Sequence, residues 1–168
     1  KVLLLGWHRS VYGIWLDLLA DMNPVLYTGT ETPKQKLASK HAFVKGDSRV
    51  MIMSIRSGSG LNGLQHVCNT AVVGEFDWSP GPINQCIGRL NRPGQPNLPV
   101  HAYMPWCDAG TDPTMIETLG WKRQQADPMM NPDVERIIPV YSPDRVKQLA
   151  RDLLERSGQE IPQPQPKP

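Results

Sequence analysis

Cysteine is scarce: Cys68, Cys86 and Cys107 are the only three in 168 residues, and no CxxC pair occurs. An odd count without that spacing argues against a disulfide framework and for a reducing compartment. The four histidines, His8, His41, His66 and His101, are scattered and no pair has metal-ligand spacing, so no metal site is expected. No apolar run approaches the roughly 20 residues that span a bilayer, and the opening Val2–Leu5 is too short for the core of a signal peptide. No membrane partner is therefore expected. A surplus of one charge is also missing: 18 cations against 16 acids leave +2. That balance alone implies no polyanionic partner.

What is present is a chain of ordinary globular composition, with 39% apolar and 20% charged residues. The length suits one domain with a tail. Proline is enriched, 17 of 168 against an average near 5%. A buried-looking strand begins directly after Lys1, and the chain is expected to be a piece of a longer one.

Short β-rich runs at Val2–Leu5, Val25–Tyr27, Arg49–Ser54, Thr70–Glu75 and Val100–Met104 alternate with helical patterns at Ser10–Asp21, Thr32–Val44, Leu61–Val67, Pro82–Arg92 and Pro113–Gln125. This alternation predicts an α/β fold, a mostly parallel sheet of five or six strands with helices on both faces. The continuous apolar character of Val50-Met51-Ile52-Met53 fits a sheet covered on both sides. Ligands of such sheets gather at the carboxyl ends of the strands, here the loops after Leu5, Tyr27, Ser54 and Glu75. Beyond Gln125 the pattern changes. Residues 126–160 read as a proline-containing connector and one amphipathic helix that starts at Ser142-Pro143-Asp144 and carries Val146, Leu149, Leu153 and Leu154. Residues 161–168 read as a Pro-rich flexible tail.

The small net charge hides a division. Gly29–Arg56 holds Lys34, Lys36, Lys40, Lys45, Arg49 and Arg56 against Glu31 and Asp47, whereas Asp108–Val134 is acidic. The basic stretch reads either as a solvated helix face or as a phosphate-binding region.

Four motifs carry the chemistry. In Gln85-Cys86-Ile87-Gly88-Arg89-Leu90-Asn91-Arg92-Pro93-Gly94-Gln95, helical spacing puts Arg89 and Arg92 within about 40° of Gln85, with Ile83, Ile87 and Leu90 on the other side. Pro82 is read as its start and Pro93 as its end. An amide and two guanidiniums in a row suit a polyphosphate, because arginine stays charged and offers forked donors. The glycine- and serine-rich stretch Ser54–Gln65 follows the central strand and leaves backbone N–H groups for an anion. Glu75-Phe76-Asp77-Trp78-Ser79-Pro80 leaves the next strand, with Trp78 expected in the core and Asp77 as a cap or an arginine partner. In Tyr27–Lys34, Thr32 is a plausible N-cap with Pro33 next, and this helix start with its lysines is suited either to a nucleic-acid phosphate or to a capped surface helix.

In order, these motifs resemble the second RecA-like lobe of superfamily-two helicases, and specifically of Swi/Snf-type DNA translocases in a bacterial or phage branch. Val2–Trp7 resembles motif IV, Ser54–Gln65 motif V, Asp77-Trp78-Ser79-Pro80 the Asp-x-x-Trp-Asn-Pro region, and Gln85–Gln95 motif VI. Gly110-Thr111-Asp112-Pro113 with Lys122 is similar to the segment closing that lobe. The resemblance spans roughly residues 1–125. Asn91 and Pro93 depart from the residues common in motif VI.

The resemblance implies a RecA-like three-layer lobe with a helical C-terminal extension, and ATP with Mg²⁺ as cofactors. Arg89 and Arg92 would be catalytic arginine fingers, with Gln85, Gly58, Gly60 and Asn62 on the ATP side. Thr30, Thr32, Lys34, Ser54 and Arg56 would meet the backbone of duplex DNA. No Gly-Lys-Ser/Thr loop and no Asp-Glu-x-His box occur in the chain. An N-terminal RecA-like lobe in cis would supply them, and this chain alone is expected to be monomeric and inactive. Localisation would be cytoplasmic, or nuclear in a eukaryote. The rival readings are a non-catalytic RecA-like interaction module, and the lobe of an RNA helicase.

Overall fold

The computed structural model describes residues 1–57, 61–107, 112, 113, 115–117 and 120. Two compact units divide the chain, Lys1–Pro105 and Trp106–Pro168. In the first unit the order is β1 (Val2–Gly6), α1 (Arg9–Leu18), β2 (Val25–Tyr27), α2 (Pro33–Val44), β3 (Val50–Ser54), β4 (Thr70–Val73), α3 (Pro80–Ile87) and β5 (His101–Tyr103). The five strands form one sheet in the order β2-β3-β1-β4-β5. Every pairing is parallel, as the alternation of strands and helices requires.

Side-chain alternation sorts the central strands into two apolar layers. Leu3, Leu5, Met51 and Met53 face one side with Phe43 of α2 and with Ile83 and Cys86 of α3. Leu4, Val50 and Ile52 face the other, against Tyr12, Trp15 and Leu16 of α1. The sheet is thus covered on both faces at its centre, so β1 and β3 run nearly continuously apolar, whereas the edge strand β5 is exposed. Each fully buried leucine or methionine here contributes about 1.5–3 kcal/mol.

Local chemistry sets the helix ends. Thr32 caps α2: its hydroxyl accepts from the Gln35 N–H at 3.3 Å, and the Gln35 side chain accepts from the Thr32 N–H at 2.9 Å. The reciprocal pair satisfies two otherwise orphaned donors, and Pro33 follows at the first turn. Gly46 ends the turn, where an added Cβ would lie 2.7 Å from the Ala42 carbonyl oxygen.

Two expected helices differ. Leu61–Val67 is only a 3-10 turn at Leu64–His66. Gly63, at φ +91°, turns the chain left-handed just before it, and the buried Leu61 and Leu64 pin both sides. The expected Pro82–Arg92 helix is instead α3, Pro80–Ile87, with Ser79 as N-cap and Gly88 as C-cap. Arg89 and Arg92 therefore stand beyond the helix. The backbone there runs in short turns, with the Leu90 N–H on the Ile87 carbonyl at 2.9 Å and the Arg92 N–H on the Leu90 carbonyl at 3.1 Å. In the second unit, the Cys107 N–H donates to the Asp112 carboxylate at 3.1 Å. The boundary expected at Gln125, and the helix and tail beyond it, lie outside the described residues.

Candidate functional site

The loops after β1 and β4 lead to opposite sides of the sheet, which makes the carboxyl ends of these neighbours the switch point where ligands of open α/β sheets bind. Glu75, two residues past β4, closes that point. Its carboxylate accepts from the Trp7 N–H at 2.7 Å and the His8 N–H at 2.9 Å, and meets His8 Nδ1 at 2.6 Å. Burial pushes its pKa up, but these hydrogen bonds to the anion outweigh it and hold the carboxyl below the usual glutamate range. Trp15 of α1 packs across both strand ends. A Cβ on Gly6 would lie 2.6 Å from the indole, and one on Gly74 would lie 2.5 Å from it. The Arg56 guanidinium stacks 4.0 Å from the centre of the Trp7 ring, a cation–π contact.

The two arginines of the Gln85–Gln95 stretch meet on consecutive residues of the glycine-rich segment. Arg89 Nη1 donates to the Leu61 carbonyl at 3.0 Å, and Arg92 Nη1 donates to Asn62 Oδ1. Leu61 is buried, so its carbonyl is a fixed acceptor. Arg89 Nε is enclosed without a hydrogen-bond partner among the described residues. The turn bearing the arginines is itself tied down. The Gln95 amide donates to the Leu90 carbonyl at 3.0 Å and to the Cys68 carbonyl at 2.9 Å, and His66 Nδ1 lies 3.1 Å from the Gly94 carbonyl. Below it, the Cys86 thiol reaches the Ile55 carbonyl, and burial pushes its pKa up to about 11 despite the nearby Arg89 charge. Gln85 is exposed on α3. Trp78, expected in the core, is 51% exposed. Asp77, expected as a cap or an arginine partner, instead accepts from the Ser79 N–H at 2.8 Å in an Asx-type turn just before α3, whose N-cap is Ser79.

The loop between β2 and α2 is organised around Glu31. Its carboxylate accepts from the Thr28 N–H at 2.6 Å, from the Thr28 hydroxyl at 2.7 Å and from the Thr30 hydroxyl at 3.2 Å. Partial burial pushes its pKa up, and the hydrogen bonds from Thr28 and Thr30 more than reverse this. The Thr30 and Thr32 hydroxyls are thus both engaged within the loop. Lys34 is exposed and makes no ion pair among the described residues. A Cβ on Gly29 would sit 3.7 Å from the Ser57 hydroxyl, so this loop lies beside the one carrying Ser54 and Arg56. Ser54 ends β3 half-buried, and Gly58 and Gly60 lie outside the described residues.

Sequence reasoning missed Glu75, Glu31 and Gln95 as organising side chains. The Thr28-x-x-Glu31 spacing was a usable signal for Glu31, being that of a capping box. Glu75 and its backbone partners are too far apart in sequence to leave any.

Half-buried guanidiniums with no carboxylate partner among the described residues, and one orphaned buried N–H, form a donor set that fits a polyphosphate. Among the described residues no group of three or more His, Cys, Asp or Glu side chains is placed to hold a metal ion, and no helix is long and apolar enough to cross a membrane.

No family model matches the sequence, and no curated protein matches it. Among solved structures, the chain is similar to the C-terminal part of the Fun30 ATPase domain, with a TM-score of 0.68 at 14% identity. The match covers 95% of this chain and 49% of that one, so the chain spans about half the length of its structural neighbour. Its parallel five-stranded sheet between helical layers is the RecA-like α/β fold of that ATPase lobe.

Proposed function

We propose that this chain is the second motor lobe of an ATP-dependent DNA helicase or translocase of the Swi/Snf type. In this reading a first RecA-like lobe would bind ATP and supply most of the ligands of Mg²⁺. Arg89 and Arg92 reach across to the phosphates, where fixed positive charge stabilises the transition state. Gln85, Gly58, Gly60 and Asn62 belong to the nucleotide side. Thr30, Thr32, Lys34, Ser54 and Arg56 follow the backbone of the duplex.

The observation that carries the reading is the seating of both arginines on Leu61–Asn62. In this reading one segment runs from Ser54 and Arg56, on the DNA side, to Leu61 and Asn62, which seat the two guanidiniums that face the nucleotide. A mechanical link between the two ligands is what a translocase needs and what a docking module does not. The neighbouring loops of Gly29 and Ser57 would present a continuous polar edge to one strand of DNA.

The test is DNA-stimulated ATP hydrolysis by the complete two-lobed protein. Arg92→Ala should lower kcat on the order of a thousandfold, the worth of an arginine finger, with folding intact by circular dichroism. Wild-type turnover in that variant refutes the assignment. The 168-residue chain alone should show no steady-state ATPase.

A further inference from the structure

We propose that Asn62 is a positioning residue that acts through Arg92. This rests on the reading of Arg92 as an arginine finger and refines the place of Asn62 in it. A free arginine side chain carries about 2 kcal/mol of rotamer entropy. A finger aimed before its ligand arrives has lost that entropy already, so more of its electrostatic effect reaches the transition state. Arg92 is fixed at both ends. At its root, the Gln95 N–H donates to the Arg92 carbonyl at 3.1 Å, and the Gln95 amide holds the preceding turn at Leu90. At its tip, Nη1 donates to Asn62 Oδ1.

Asn62 is itself well anchored. Leu61 before it is 2% exposed, and Gly63 after it is locked in the left-handed region, with its N–H on Gln65 Oε1 at 3.1 Å. The neighbours on either side thus hold the Asn62 backbone, and its exposed side-chain amide accepts from Arg92.

The choice of an amide is informative. A guanidinium has five N–H donors, and the amide oxygen engages one of them without neutralising the charge. An aspartate here would hold Arg92 at least as firmly but cancel the charge a phosphate needs. Arg89 shows the same device, since it rests on the neutral Leu61 carbonyl. Two successive neutral acceptors thus set the spacing of two full positive charges.

The experiment has two arms. In the 168-residue chain, nitrogen-detected NMR of the arginine guanidiniums should show hindered rotation and slowed proton exchange for Arg92, both lost in Asn62→Ala while the urea midpoint is retained. An Arg92 signal that is as mobile in the wild type as in Asn62→Ala overturns the proposal. In the two-lobed protein, Asn62→Ala should lower kcat about tenfold, the effect of one hydrogen bond to a charged group, with little change in KM for ATP. Asn62→Asp should restore the NMR signature but not kcat. In an Arg92→Ala background Asn62→Ala should cost nothing further, because it has nothing left to position. Equal losses in both backgrounds would mean that Asn62 acts on its own, and the proposal falls. A two-lobed wild type without any ATPase overturns the finger reading instead, and this role with it.

Discussion

Glu75 and His8, 67 positions apart in sequence, are joined twice: one carboxylate oxygen accepts from the His8 N–H at 2.9 Å, and the other meets the His8 ring at 2.6 Å. With the Trp7 N–H also bound, this carboxylate holds the exit of β1 against the exit of β4. Its pKa is below the usual glutamate range in the fold, as is that of Glu31. A depressed folded-state pKa stabilises the fold fully above the ordinary glutamate value, and that stability is lost as pH falls through the folded value. Urea unfolding should therefore show a falling midpoint on acidification from about pH 5 downward. Glu75→Gln should flatten part of that fall, and Glu75→Ala should cost about 1.5–3 kcal/mol at neutral pH. An unchanged acid profile in Glu75→Gln would show that the carboxylate is not the group responsible.

Gly74 and Gly6 make room for Trp15. Gly74→Ala would place a methyl group 2.5 Å from the indole and should destabilise by about 1–3 kcal/mol, the usual cost of overpacking. Combining it with Trp15→Leu should cost less than the sum of the single changes, read by thermal unfolding. Additive losses would mean that some other contact limits Gly74.

Thiol chemistry should separate the cysteines. Cys86 is buried with its pKa raised to about 11, and Cys68 is buried with its pKa raised, whereas Cys107 is exposed. The thiolate is the reactive form. A disulfide reagent at about pH 8 should therefore modify Cys107 promptly and the other two only on unfolding. Fast labelling of Cys86 in the folded chain would contradict its packing against Ile55.

Under the proposed function Lys34 should be an accessible DNA contact, because it is exposed while the Thr30 and Thr32 hydroxyls are engaged by Glu31 and Gln35. Lys34→Ala should weaken duplex binding by the chain and reduce the slope of log K against log salt by about 0.9, one phosphate contact. Fluorescence anisotropy across a salt series measures both, and an unchanged slope would remove Lys34 from the interface.

The strands were legible to within two residues, and the central ones because a doubly covered parallel sheet leaves an unbroken apolar run, as at Val50–Met53. The capped start of α2 was legible because Thr32 and Pro33 are local signals. Periodicity misled at Gln85–Arg92, since it assumes that a helix continues. Ser79-Pro80 starts the helix earlier, Gly88 stops it, and Arg89 then follows a distant carbonyl at Leu61 rather than the helical repeat. Arg89 and Arg92 do converge, but on a neighbouring segment instead of along one helix face. Hydrogen bonds between residues some 30 or 70 positions apart leave no periodic trace, so the motifs contained Gln95 and Glu75 but not their partners Cys68, Trp7 and His8.

The carboxylate of Glu31 has a consequence for how the β2–α2 loop would meet a DNA phosphate under the proposed function. Its donors are already occupied by an anion of the protein's own. A DNA phosphate arriving there would trade places with Glu31 instead of filling a vacancy. The net gain is the difference between two similar anions, which is small, and the displaced carboxylate stays tethered within reach to reclaim its place. Such a contact is easily broken. The proposed translocase, which would have to let go of each phosphate to take the next, would be served better by this exchange than by a tight and empty cradle.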